Sequence, residues 1–191
     1  MAKRILLVSA TQAEMVSVES GQVDSLIAGI GMVATTCSLT RKLTESKFDL
    51  VINMGIAGSF NPKFGIGTVV QVVLDRIIEL GVEDNGKFIP ADEMNLLKAD
   101  ELRFHSEILI SDLPSANGIT VNRVHGSIDS IEKMIAQFNP DVESMEGAAV
   151  AYVCKQFGVP WVQIRAVSNM VEPRNRHAWN IPLAIKNLHS E

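Results

Sequence analysis

Five short runs of Val, Ile and Leu, bounded by glycine or polar residues and lacking strict alternation, dictate the kind of sheet this chain can form. They fall at residues 4–9, 50–54, 68–74, 119–124 and 161–167. A strand with one face in water alternates apolar and polar residues, whereas a strand covered on both faces reads as a continuous apolar run. Helical patterns separate the runs. Residues 31–46 carry Val33, Cys37, Leu39 and Leu43 at helical spacing, 130–138 carry Ile131, Met134, Ile135 and Phe138, and 146–157 form a third segment. This alternation predicts an α/β domain with helices packed on its sheet. Residues 83–115, with Asn85-Gly86, Pro90 and Pro114, read as irregular insertions on the sheet edge. No internal repeat, low-complexity segment or linker interrupts the chain, and its 191 residues predict one domain spanning 1–191.

The chain is 47% hydrophobic and 20% charged, enough to bury a substantial core. Its net charge of −5 gives no electrostatic footprint for nucleic acid or an anionic membrane surface. The apolar run after Lys3-Arg4 ends at Ser9, Thr11, Gln12 and Glu14, too short for a secretory signal, and no stretch is long enough to span a bilayer. The expectation is a cytoplasmic protein. Cys37 and Cys154 lack metal-ligand or redox spacing and read as reduced, buried thiols. His105, His125, His177 and His189 likewise lack metal spacing, so surface or packing roles are expected of them and no metal site is predicted.

Ligands of open α/β sheets settle beyond the carboxyl ends of the strands. Three such ends carry polar or glycine-rich sequence: Ser9-Ala10-Thr11-Gln12-Ala13-Glu14, Gly55-Ile56-Ala57-Gly58-Ser59 and Ser168-Asn169. Glu146 opens a helix that points into the same space. Each has a plainer reading. Glu14 and Glu146 are also what the first turn of a helix favours, and Gly55 and Gly58 are also what a tight turn or close packing demands. Arg165 is harder to dismiss, because a cation flanked by Val162, Ile164, Ala166 and Val167 must find a carboxylate or a water-filled site.

Taken together, Glu143-Ser144-Met145-Glu146-Gly147-Ala148-Ala149-Val150 and the strand ending Arg165-Ala166-Val167-Ser168-Asn169 resemble the nucleoside phosphorylase and nucleosidase family. The resemblance implies a central mixed sheet flanked by helices and a small purine nucleoside as ligand, with no metal or organic cofactor. The first loop is similar to that of the methylthioadenosine/adenosylhomocysteine nucleosidases, which implies that Glu14 activates water and Arg165 helps fix it. Met145 and Glu146 match the pair beneath the ribose. Met54-Gly55-Ile56-Ala57-Gly58 is similar to the family's glycine-rich turn. The tail Ser168-Asn169-Met170-Val171-Glu172-Pro173-Arg174-Asn175-Arg176 and Trp179-Asn180-Ile181-Pro182-Leu183-Ala184 resembles the futalosine hydrolases, which release hypoxanthine from futalosine in the alternative menaquinone pathway. Arg174, Arg176 or His177 then becomes a candidate for the carboxylate of a large 5′ substituent. A homo-oligomer with an apolar interface is implied as well.

Two departures bear on chemistry. Ile56 stands where the nucleosidases carry a hydroxyl that helps hold the water, so the water must lean on Glu14 and Arg165. Asn169 stands where they carry an aspartate that protonates N7 of adenine. A 6-oxopurine offers acceptors at N7 and O6, and an amide NH₂ donates to either without an unusual protonation state. Asn169 therefore favours hypoxanthine, with main-chain groups near Val124 the alternative source of selectivity. An adenine-specific nucleosidase, a phosphorylase and a non-catalytic nucleoside-binding protein complete the range of readings.

Overall fold

The computed structural model describes residues 3–18, 20–98 and 101–190. Its elements are β1 (Ile5–Ser9), β2 (Val23–Ile27), α1 (Met32–Glu45), β3 (Leu50–Ser59), β4 (Val69–Ile77), β5 (Gly81–Asp84), β6 (Lys87–Pro90), β7 (Arg103–His105), β8 (Ser115–Thr120), α2 (Ile128–Phe138), β9 (Val142–Ser144), α3 (Gly147–Phe157), β10 (Trp161–Met170) and α4 (Ile181–Leu188).

The sheet is mixed and closes on itself. β3 runs parallel to β10, β10 antiparallel to β4, β4 parallel to β8, β8 parallel to β9, and β9 antiparallel back to the end of β3. β1 and β2 extend the sheet in parallel from the first half of β3. Closure removes the free edges of the ring and drives the carboxyl ends of β1, β3 and β10 to one side. At that end β10 is bulged. Val167 pairs with Ala57 and Asn169 with Gly58, so Ser168 is the extra residue. A bulge re-aims the side chains beside it, and here the affected residue is Asn169.

Two apolar layers cover the sheet. One packs Leu39 and Leu43 of α1 and Val150 and Val153 of α3 on Leu6, Val8, Val51 and Trp161. The other packs Ala184 and Leu188 of α4 on Leu7, Met54, Val69 and Ala166, together with Met15. Burying a side chain such as Leu39, fully inaccessible here, contributes roughly 1.5–3 kcal/mol. Ser127 caps α2 through its hydroxyl, which accepts from the Ser130 amide, and Asn180 caps α4 by accepting from the Leu183 amide.

Several sequence expectations need correction. The run at 119–124 is strand only to Thr120, and beyond it the chain turns into the loop that enters α2. α1 forms where expected, yet Val33 is 83% exposed and Cys37 is exposed, because only Thr35, Leu39 and Leu43 face the sheet. Cys154 is buried as anticipated, and burial pushes its thiol up to about 12. The region 83–115 is more ordered than its composition suggests. Asn85 (φ 48°) and Gly86 (φ 75°) form the two-residue turn of the β5–β6 hairpin, and β7 pairs with β4. Residues 99 and 100 within that region lie outside the described residues. β2, β9 and α4 were not anticipated as elements.

Candidate active site

Glu14 is not a first-turn helix residue. After β1 the chain makes a turn, with the Met15 amide donating to the Gln12 carbonyl at 3.3 Å, and among the described residues no helix follows before α1. The turn folds the side chain inward, leaving Glu14 7% exposed. One carboxylate oxygen accepts from the Thr11 amide (3.0 Å) and hydroxyl (2.8 Å), and the other from the Ile56 amide (3.0 Å). Three donors thus hold the carboxylate between the ends of β1 and β3, which offsets the cost of its desolvation. The Ile56 side chain packs into the apolar layer around Leu7 and Met15, so it is the amide of this residue that serves the site.

Gly55 sits where a Cβ would collide with the Arg165 guanidinium and would lie 2.9 Å from a Glu14 carboxylate oxygen. The missing side chain therefore lets Arg165 and Glu14 converge on one point, and any larger residue would push them apart. Arg165 is 1% exposed, the largest fully buried side chain among the described residues. Its Nη2 donates to the Asn53 side-chain oxygen; the Glu14 carboxylate lies across Gly55 from the guanidinium, and among the described residues Arg165 forms no direct ion pair. Asn53 in turn donates to the Val8 carbonyl at 3.2 Å. The Arg165 Nε has no partner within the described residues. The guanidinium thus retains donor capacity beside Glu14.

Glu146 is the N-cap residue of α3, but its side chain turns away from that helix. Its carboxylate accepts from the amide of Gly31, the residue before α1, at 2.9 Å. Gly31 takes φ 87°, a left-handed value that glycine adopts without strain and that turns its N–H towards Glu146. Burial pushes the Glu146 carboxyl above its ordinary 4.5, while the Arg165 guanidinium and the Gly31 amide pull the other way. Glu14 adds a like charge to the upward push. Met145 lies half-buried next to it.

The bulge carries Ser168 and Asn169. The Ser168 hydroxyl donates to the Asn169 side-chain oxygen (2.8 Å) and lies 3.2 Å from the Ala57 carbonyl oxygen, while the Asn169 NH₂ donates to the Met170 carbonyl at 3.0 Å. These contacts fix the amide's orientation and leave one N–H of Asn169 uncommitted. A Cβ on Gly58 would meet this NH₂ at 3.2 Å and the Glu143 side chain at 3.5 Å. Glu143, 3% exposed, takes hydrogen bonds from the His125 amide (3.1 Å) and from His125 Nδ1 (2.6 Å). Because a carboxylate only accepts, Nδ1 carries the proton.

The structure thus brings Glu14, Ile56, Gly55 and Arg165 into one cluster, with Glu146 charge-coupled to both Arg165 and Glu14. Val124 is half-buried in the loop after β8 and packs with Ile78, Ile119 and Val121. Arg174 is exposed, its guanidinium 5.5 Å from the Trp179 ring and its amide donating to the Gly126 carbonyl at 3.1 Å. The tail is therefore tied to the loop that holds Val124 and His125. Arg176 and His177 are exposed.

Sequence reasoning missed Asn53, the Glu143–His125 pair and His189. Of the histidines, His125 bonds Glu143 and the exposed His189 places its Nε2 3.2 Å from the Glu14 carbonyl oxygen, which is compatible with the surface and packing roles expected of them. Asn53 carried a usable signal: an amide inside an apolar strand has to be bonded to something. The other contacts join distant segments and leave no local trace. A cavity of about 640 Å³ lined by Arg103, His105, Glu107, Cys154 and Trp161 touches none of the candidate residues. Among the described residues, no group of His, Cys, Asp and Glu side chains is arranged to hold a metal ion, and no helix is long and apolar enough to cross a membrane.

The model of the phosphorylase superfamily matches residues 3–190, and the chain belongs to that superfamily. Among its relatives are two futalosine hydrolases. That of Streptomyces coelicolor is 30% identical over 175 residues, covering 85% of this chain and 73% of the relative. That of Acidothermus cellulolyticus is 30% identical over 177 residues, covering 86% and 71%. Solved structures agree on the fold. Futalosine hydrolase of Helicobacter pylori superposes with a TM-score of 0.80 at 16% identity, covering 98% of this chain and 94% of that one. The methylthioadenosine/adenosylhomocysteine nucleosidase of Neisseria meningitidis, solved with methylthio-immucillin-A, gives 0.80 at 20% identity, covering 98% and 96%.

Proposed function

We propose that this protein is an N-ribosyl hydrolase that cleaves the glycosidic bond of futalosine, releasing hypoxanthine and dehypoxanthine futalosine. The observation that carries this reading is the convergence of Glu14 and Arg165 on the space over Gly55, in a chain 30% identical to futalosine hydrolases over most of its length. As the bond between C1′ and N9 lengthens, positive charge grows on the ribosyl centre and negative charge on the purine. Glu14 removes a proton from the attacking water, which the spare donors of Arg165 orient. Glu146 accepts from the ribose hydroxyls and Met145 packs beneath the sugar. Asn169 donates its free N–H to N7 or O6 of the departing hypoxanthine, a contact that strengthens as charge develops. Ser168 holds that amide in place. Gly55, Ile56 and Val124 line the pocket, and Arg174 meets the carboxylate of the 5′ substituent.

The anionic Glu14 is what separates this site from one that uses phosphate, because a carboxylate in the nucleophile's position repels an anion. The enzyme acts as a single domain in the cytoplasm and as a homo-oligomer. Ile30, 66% exposed, and Val33, 83% exposed, supply an apolar surface beside Gly31 for the subunit contact. The test is purine release from futalosine, inosine and methylthioadenosine, each with and without phosphate. Futalosine should be cleaved fastest, in phosphate-free buffer, to the free sugar. A ribose 1-phosphate product formed in proportion to added phosphate would assign the chain to the phosphorylases, and a preference for methylthioadenosine would assign it to the adenine nucleosidases.

A further inference from the structure

Asp75 lies two residues before the end of β4, fully inaccessible to solvent, and none of the steps above uses it. Its surroundings are polar and shared with α3. The Thr120 hydroxyl of β8 lies 3.0 Å from both Asp75 carboxylate oxygens and accepts from the Ala148 amide at 2.8 Å. That hydroxyl has one proton, and with Ala148 on its lone pair the proton points to Asp75. The Arg76 amide donates to the same carboxyl at 2.7 Å. Gln163 of β10 also hydrogen-bonds to Asp75. Gly147, the first residue of α3, has no room for a side chain: a Cβ there would collide with an Asp75 oxygen and with both ends of the Gln163 amide.

We propose that Asp75 is a positioning residue: with Gln163 and Thr120 it forms the polar socket that seats the first turn of α3 and thereby fixes Glu146, the residue that precedes Gly147. The proposal rests on the assignment of Glu146 to the ribose.

The protonation of this socket follows from what its members lack. The Gln163 side-chain oxygen is buried without any hydrogen-bond partner among the described residues. An ionised Asp75 only accepts, so it leaves that oxygen orphaned, at a cost of about 1–3 kcal/mol. A neutral Asp75 donates its O–H to the Gln163 oxygen while accepting from the Gln163 NH₂, and every polar atom of the pair is then satisfied. Charge counting agrees. Asp75, Glu14 and Glu146 are three buried carboxyls around one buried cation, Arg165, so a proton on Asp75 halves the surplus negative charge, from two to one. Burial itself drives the Asp75 carboxyl upwards, against the pull of Gln163, Thr120, Arg165 and the Arg76 amide.

Asp75→Asn is the discriminating variant, because an amide reproduces both the donor and the acceptor of a neutral acid. It should keep kcat and KM within about threefold of wild type, the scatter expected of a near-isosteric change. Asp75→Ala should raise KM about tenfold or more with a smaller change in kcat, since one lost buried partner is worth roughly a factor of ten. In a Glu146→Gln background, affinity for inosine by calorimetry should be insensitive to Asp75→Ala, because the socket acts through Glu146. If Asp75→Ala does not fold, Thr120→Val takes its place in the same cycle. An infrared carboxylic-acid band present at neutral pH in wild type and absent in Asp75→Asn should mark the bound proton. That arm needs no substrate, so it separates failure of the socket from failure of the futalosine reading. Asp75→Asn being as damaging as Asp75→Ala, additive effects with Glu146→Gln, or no acid band in wild type would each overturn the proposal.

Discussion

His189, the C-cap residue of α4, places its Nε2 3.2 Å from the backbone carbonyl oxygen of Glu14, 175 positions away in sequence. A carbonyl accepts only, so Nε2 holds the proton and the C-terminal helix is tied to the turn that carries the proposed base. The apolar packing of Leu188 beneath α4, next to Met15, makes the same connection through the core.

His189→Ala should therefore act on catalysis from outside the pocket. Losing one hydrogen bond that positions a base costs about 1 kcal/mol, or roughly a fivefold drop in kcat. KM should change little, because neither Glu146 nor Asn169 is touched. Steady-state kinetics beside a thermal denaturation curve test this. A loss of thermal stability with unchanged kcat would confine His189 to holding the fold.

Glu14→Gln should abolish turnover by a factor on the order of 10²–10⁴ while leaving nucleoside binding measurable. The structure adds a second expectation. Glu14 accepts three hydrogen bonds across both oxygens, from Thr11 and from Ile56. An amide offers a single acceptor oxygen, so its NH₂ must face one of these donors, at a cost of about 1–3 kcal/mol in stability. Near-wild-type hydrolysis by Glu14→Gln would remove Glu14 from the mechanism.

The strands and helices that bury continuous apolar runs were legible in sequence because periodicity is a local property. β1, β4, β10 and α3 fall close to their expected positions for that reason, whereas β3 runs on through residues 55–59, which the glycines make look like a turn, because those residues pair with β10 and β9. Elements whose stability comes from the sheet they join were not. β9 is three residues long and exists because Glu143 and Val142 pair with Gly58 and Ser59, while β2 alternates partial exposure at the edge beyond β1. The site divides the same way. Arg165 announced itself as a cation among apolar neighbours, but its partner Asn53 lies 112 residues away and its closeness to Glu14 depends on the absent side chain of Gly55. Asp75 gave no signal at all, since an aspartate near a strand's end looks like a solvent-exposed terminus until the strand proves to be covered by β7, β8 and α3.

The bulge at Ser168 makes Asn169 a direct test of base choice. Its oxygen is held near the Ser168 hydroxyl and one N–H is spent on Met170, which leaves one N–H for the purine. Asn169→Asp should depress activity on 6-oxopurine nucleosides, because a carboxylate must be protonated before it replaces the donor, and activity should survive best at low pH. On 6-aminopurine nucleosides the change should cost less, since a protonated carboxyl donates to N7 while accepting from N6. Loss of one donor to developing charge is worth roughly 3–4 kcal/mol. Unchanged ratios of kcat/KM for the two substrate classes would move selectivity to the main chain near Val124.

Glu146 couples activity and stability to pH with opposite signs. Its carboxyl is pushed above the ordinary 4.5 chiefly by burial, so in the folded protein it holds its proton into a range where the unfolded chain has lost it. A group whose folded value is raised contributes stability that is fully present below the unfolded value and is lost as pH climbs through the folded one. Its share of stability should thus fall as pH rises from 4.5. Ribose binding runs the other way, because only the ionised carboxylate accepts from both sugar hydroxyls. The acid limb of kcat/KM should lie above the usual glutamate range, and Glu146→Gln should flatten both the stability slope and that limb while raising KM by about tenfold or more. Urea denaturation and kcat/KM measured across the same pH series test the two signs together. A wild-type stability curve in that window that Glu146→Gln leaves unchanged would show that Glu146 does not carry the titrating proton.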